Sequence, residues 1–308
     1  MVNIVYAAPY AAPAPENIRR WGGITHRWTG WDGSSWDLSD VEGGVFLLNE
    51  GLEGLGMPDI TNYTHDSPVV HGASWDGWLA TGRKVFWSVA VFHDSDSVGW
   101  VKRHRAFWKT MQPGKTGVWT VELPTGEKFS LTLRFKSDGG HSYTNDPVHR
   151  GWEVYGVELF PEQPFWEAPP VVESWATGEQ VPFFGPEGKA PPFFVSPAAT
   201  LSSATLTNPG DVETFIRWTV VGPARSAQVG IDGVFTVLPV NVPDGSKLVV
   251  DTNPRNLIAE LDGVDVMEQL GELNYEPLQP GESVELSLEL DGTGSIEAAF
   301  TPLMFMGV

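Results

Sequence analysis

Glycine and proline interrupt this chain so often that no long regular element can run through it. The 308 residues include 34 glycines and 25 prolines, spread along the chain rather than massed in one tract. Glycine supplies positive-φ corners and proline a preset φ, so the chain is cut into many short segments joined by turns. That punctuation predicts a mainly β protein. The length is about twice that of a typical domain and allows two separate cores. No cysteine is present, which excludes disulfides and thiolate metal centres and leaves packing to hold the fold.

Short strands become legible from Gly33 onward, at residues 35–38 and 44–48. Residues 85–92, VFWSVAVF, are apolar on both faces, as a strand covered on both sides should be. Asp94 to Ser97 then offers helix caps. Trp100, His104, Phe107, Trp108 and Met111 recur three and four apart, with Lys102, Arg103, Arg105 and Lys109 largely opposite and Pro113-Gly114 as the stop. The spacing predicts one amphipathic helix of about four turns. Residues 118–123 and 128–135 flank Pro124-Thr125-Gly126-Glu127 and form a β-hairpin. Residues 152–160 alternate and run into Pro161, Pro164, Phe165 and Trp166, where the first domain closes.

The second half reads as strand after strand, at 215–221, 228–238, 247–251, 256–261 and 283–290. In the last, Val284, Leu286, Leu288 and Leu290 alternate with polar residues, the period of a half-buried strand. Asp-Gly pairs at 232, 244, 262 and 291 supply turns, which points to a β-sandwich. The expected organisation is an amino-terminal arm over 1–30, a β-sandwich domain with the helix and hairpin over 31–168, a partly docked linker over 169–197 and a second β-sandwich over 198–308.

The net charge of −20 is uneven: residues 1–170 carry 20 acidic and 14 basic side chains, whereas residues 171–308 carry 19 and 5. Phosphate backbones and anionic membranes both demand basic surface, so neither is an expected partner. The longest apolar runs fall far short of the roughly 20 residues that cross a bilayer. The start of the chain lacks a cationic region ahead of an apolar core and reads as an arm rather than a signal peptide.

No motif for chemistry survives inspection. Gly114-Lys115-Thr116 lacks the first glycine of a phosphate loop, since Lys109 stands there, and it lies between helix and strand in the wrong order. The seven histidines show no metal-ligand spacing. Asp94/Asp96 and Asp262/Asp265 are followed by no calcium loop. Gly72-Ala73-Ser74-Trp75-Asp76 breaks the nucleophile-elbow pattern at its final glycine. Nothing singles out a carboxylate pair for glycoside hydrolysis. The expectation is a non-enzymatic protein with no cofactor, no catalytic residues and no metal.

Tryptophan is the one residue type that stands out, with 14 copies, 12 of them before residue 171, and Trp31-Asp32-Gly33 is repeated at Trp75-Asp76-Gly77. Tryptophan anchors cores and protein interfaces, and it also stacks on sugars. Core and subunit contacts are the favoured roles, with Trp21, Trp28, Trp31, Trp166 and Trp175 as candidate subunit-interface aromatics. The alternative is a carbohydrate- or receptor-binding sandwich.

The order of elements, followed by Asn208-Pro209-Gly210-Asp211-Val212-Glu213, Val250-Asp251-Thr252, Leu261-Asp262-Gly263 and Leu278-Gln279-Pro280-Gly281-Glu282, resembles the siphophage distal tail protein family over roughly residues 35–308. Each motif alone is turn chemistry; their succession carries the resemblance. The long arm and the extended connection depart from the family's pattern. The resemblance implies a virion protein, made in the host bacterial cytoplasm, at the distal end of a long non-contractile tail. It implies a hexameric ring formed by the amino-terminal domain, with a galectin-like carboxy-terminal sandwich outside. Partners would be the tail tube protein, the tape-measure protein and baseplate hub or fibre proteins. Viral DNA would pass through the bore without sequence-specific binding, and acidic residues there would keep it from sticking.

Overall fold

A computed structural model of the chain describes residues 23–48, 50–69, 71–176, 201, 204–271, 273–274 and 276–308. The first body contains β1 (Thr25–Thr29), β2 (Ser35–Asp37), β3 (Val45–Leu47), β4 (Asp59–Asp66), β5 (Ala73–Gly82), β6 (Val85–Phe92), α1 (Ser97–Lys109), β7 (Thr116–Glu122), β8 (Lys128–Ser137), α2 (Pro147–Arg150), β9 (Trp152–Pro161) and β10 (Trp166–Glu167). The second contains β11 (Val171–Ala176), β12 (Thr205–Thr207), β13 (Arg217–Val221), β14 (Ala224–Ile231), β15 (Val234–Leu238), β16 (Lys247–Asp251), β17 (Ile258–Leu261), β18 (Val264–Asp265), β19 (Ser283–Glu285), β20 (Glu289–Gly292) and β21 (Ser295–Phe300); β22 (Leu303–Met304) returns to the first. The protein is mainly β, as expected.

In the first body one antiparallel sheet, ordered β2-β1-β7-β8-β9-β6-β3 with β10 and β22 attached, wraps a single core. Trp28, Trp87, Trp119 and Trp166 are at most 1% exposed and meet edge-on or tilted, with successive ring centroids 5.3, 5.2 and 4.9 Å apart. Burying an indole contributes about 4–6 kcal/mol before chain entropy is counted, so four of them suit a fold without disulfides. The helix begins where expected: Asp96 accepts from the Gly99 N–H at 2.7 Å. It buries Trp100 and Phe107. At its end the Thr110 hydroxyl accepts from Trp28 Nε1 at 2.8 Å and donates to the Phe107 carbonyl at 2.6 Å, tying helix to sheet. The expected hairpin is β7–β8, and a second, four-residue helix, α2, was not foreseen.

The second body is a sandwich with its own core. A sheet ordered β11-β21-β13-β16-β17-β18 faces the strands β15-β14-β20 and β12-β19. The expected strand 283–290 is two strands: β19 pairs with β12 and β20 with β14. Burial nevertheless keeps period two across the break, through Val284, Leu286 and Leu288, because the chain crosses between sheets with the same side inward. The expected strand 228–238 is likewise two strands folded at Asp232-Gly233, whose φ values are 48° and 81°.

Strands extend beyond the expected limits of both bodies. Residues 25–29, read as arm, are β1 and pair with β7; residues 171–176, read as linker, are β11 and pair with β21. The cause is local alternation: Trp28 and Trp175 each supply a buried indole to the neighbouring core. Residues 1–22, and 177–197 of the expected linker, lie outside the described residues.

Candidate assembly surfaces and the junction

Strands β4 and β5 form a two-stranded ribbon that joins no other sheet. A lone two-stranded ribbon is marginally stable in water, so this one calls for packing partners. The repeated Trp-Asp-Gly sets its shape. Tyr63 pairs with Gly77 and Thr64 with Trp75, so Asp76 is a bulged extra residue. Gly77 takes φ 152°, a conformation that disfavours side chains, and Asp76 is held by His65 Nδ1 at 2.7 Å. Without the bulge Trp75 and Trp78 would point to opposite faces. With it, both share the face of Asn62 and Thr64, while Tyr63 and Leu79 occupy the other. The first copy of the tripeptide does something different: Gly33, at φ 77°, closes the β1–β2 turn, and Trp31 Nε1 donates to the Lys109 carbonyl at 3.0 Å.

A second apolar surface lies on the outer face of the sheet. Strand β6 turns Val85, Trp87, Val89 and Val91 inward and Phe86, Ala90 and Phe92 outward. The pairings Phe92↔Trp152, Ala90↔Val154 and Phe46↔Ala90 place these side chains in one outward patch. Trp152 and Val154 are exposed, and the edge strand β3 is three residues long.

A buried cation holds the carboxy-terminal segment against the first body. Arg83, 5% exposed, donates Nε to the Pro164 carbonyl at 2.6 Å and Nη2 to the Phe305 carbonyl at 2.7 Å. Its Nη1 reaches the carbonyls of Gly54, at 2.7 Å, and Gly56. Burial pushes this guanidinium down to about 10, against the opposing pull of Asp59, so it stays charged at neutral pH. The segment after β21 crosses to the first body: β22 pairs with β10, Gly307 N–H donates to Leu55 at 3.0 Å, and Phe305 N–H donates to Asp211 at 2.9 Å. The Phe305 ring packs with Trp78 and Phe165.

Of the candidate interface aromatics, Trp28, Trp166 and Trp175 are at most 5% exposed within their own subunit and act as core residues. Trp31 is 39% exposed, and Trp21 lies outside the described residues. Tyr63, Leu79 and Val154 are exposed apolar residues that the sequence did not single out; the repeated Trp-Asp-Gly was the available signal for the ribbon. Trp218 is buried like Trp175, so the second body alone presents no exposed indole for a glycan.

Among the described residues no group of three or more His, Asp or Glu side chains could hold a metal. No helix among them is long and apolar enough to cross a membrane. His104 is packed against Trp100, His141 and Tyr155, with its Nε2 buried and unpartnered. Burial first, then His141 and Arg105, push its imidazole down to about 4.

Curled sheet, single long helix, two-stranded ribbon and trailing sandwich together make a fold similar to that of two solved phage proteins. The crystal structure of SPP1 Dit, described as a paradigm of the hub adsorption apparatus in phages infecting Gram-positive bacteria, matches with a TM-score of 0.60 at 15% identity, covering 92% of this chain and 99% of that one. The phage P2 baseplate in its activated conformation matches in two structures. With Ca the TM-score is 0.55 at 11% identity, and with Sr it is 0.52 at 12%; each covers 90% of this chain and 98% of the other. No protein-family model and no curated protein sequence matches the chain.

Proposed function

We propose that this chain is a structural, non-catalytic virion protein that closes into a hexameric ring at the distal end of a long phage tail. The ring joins the tail tube to the baseplate and surrounds the channel through which DNA and tape-measure protein pass. Hub or fibre proteins dock on its far side. The observation that carries this reading is the presence of two unlike apolar surfaces on one body. Ring closure requires a heterologous contact, in which one patch of each subunit meets a different patch of the next. The Tyr63/Leu79 face of the ribbon and the Phe92/Trp152/Val154 sheet face provide such a pair. The fold shared with SPP1 Dit over nearly the whole chain supports the same reading.

Mass photometry tests it. The unaltered chain should give a sixfold mass. Leu79→Asp and Val154→Asp should each give monomers, because each removes one half of every contact. Mixed, the two variants should form dimers, since each mixed pair retains one intact contact. Rings from either variant alone would refute this interface.

A further inference from the structure

We propose that the cleft between the ribbon and the second body is a binding site for a neutral oligosaccharide. The inference does not rest on ring formation and would hold for a single subunit.

The cleft encloses about 580 Å³. Its apolar wall is Trp78, Phe165 and Phe305, and its polar wall is Asp211, Glu213, Arg255 and Gln279. Sites of this kind, apolar with a few convergent polar groups, gather where domains meet. The chemistry selects the ligand. Two carboxylates against one guanidinium leave the polar wall net negative, on a chain of charge −20, which disfavours an anionic ligand. Carboxylate, amide and guanidinium groups side by side accept from and donate to hydroxyls. Their internal bonds leave capacity: Glu213 takes one long bond from Gln279, 3.3 Å, and Arg255 gives one to the Glu162 carbonyl, also 3.3 Å.

The aromatic platform continues beyond the cleft. The bulge at Asp76 sets Trp75 on the same ribbon face as Trp78, opposite Thr64 and Asn62 respectively. Their cross-strand partners are two residues apart, about 7 Å along the ribbon, so sugar rings of one chain can stack on both indoles. Trp75 is 62% exposed, yet its Nε1 donates to Asn62 at 3.1 Å, which fixes the ring before any ligand arrives. Packing between the bodies explains why Trp78 touches Phe165 and Phe305. It does not explain an exposed, hydrogen-bonded tryptophan aligned with it.

Tryptophan fluorescence and saturation-transfer NMR on the full chain test the site, with maltohexaose, a β-1,4-linked N-acetylglucosamine hexamer and a galacto-oligosaccharide as probes and poly(glycerol phosphate) as the anionic control. At least one neutral probe should saturate, and the control should not bind. Trp75→Ala and Trp78→Ala should each weaken binding about tenfold. Trp78→Ala also touches the junction, so the exposed Trp75 is the decisive position. Failure of all three neutral probes to saturate, undiminished binding by a folded Trp75→Ala, or preference for the anionic polymer would overturn the proposal. Capture of a protein partner on this face without sugar affinity would overturn it as well.

Discussion

Replacing Arg83 by methionine should loosen the first body and release the carboxy-terminal segment, because one side chain joins three separate stretches of backbone. The guanidinium binds carbonyls of residues 54, 56, 164 and 305. Hydrogen bonds from a charged donor contribute about 1.5–3 kcal/mol each, so four give about 6–12 kcal/mol. Burying the cation costs several kcal/mol of that, since no carboxylate bonds it. Truncation also strands carbonyls at a site where Arg83 itself is 5% exposed. The net loss should be about 3–5 kcal/mol. At about 2 °C per kcal/mol for a chain of this size, the first melting transition should fall by about 6–10 °C. Arg83→Lys should fall between, since an ammonium has three donors and no planar fork. Calorimetry reads the first effect, and small-angle scattering reads the second: a larger radius of gyration as the Phe305 segment detaches. An Arg83→Met protein that melts within about 1 °C of the parent with unchanged scattering would show that this cation does not hold the carboxy-terminal segment.

His104 makes the fold acid-sensitive. Its folded pKa lies below the unfolded value, so the unfolded chain binds the extra proton, and stability present above about 6.5 is lost as pH falls toward 4. Urea unfolding at pH 7 and 4.5 should show a loss of up to about 3 kcal/mol, which His104→Phe should reduce. Asn208, fully buried, donates to the carbonyls of Val212 and Leu278 at 2.9 and 3.0 Å and accepts from Gly210 N–H at 2.8 Å. Asn208→Ala should destabilise the second body by about 2–4 kcal/mol in denaturant titrations. Thr110→Val strands the Trp28 indole N–H and should cost about 1–2 kcal/mol, with a shifted tryptophan emission.

What the sequence revealed follows the rules of burial. The helix was legible from the Asp96 cap and the three-and-four spacing of Trp100, His104 and Phe107, and β6 from its unbroken apolar run. The ribbon was not legible, because β4 is largely exposed along its length and the bulge at Asp76 breaks the alternation of β5. The return of β22 to the first sheet was equally hidden, since a two-residue strand has no period to read. Three of the interface candidates were placed in cores for a related reason. Sequence identifies a tryptophan, but the sheet's curl decides whether it faces a core or a neighbour, and Trp28, Trp166 and Trp175 turn inward. The Asn208 motif was recognised as turn chemistry, and two of its three side-chain bonds are local, to Val212 and Gly210; the third reaches Leu278, seventy residues away, and no local pattern announces it.

On the proposed function, unlike apolar surfaces on one chain close a ring at a tail tip. Negative-stain imaging of the purified chain mixed with the tail tube protein tests it most directly. End-on classes should show sixfold symmetry and an open bore, seated on the tube end. Separate monomers beside bare tube ends, at concentrations where both proteins are folded, would contradict it.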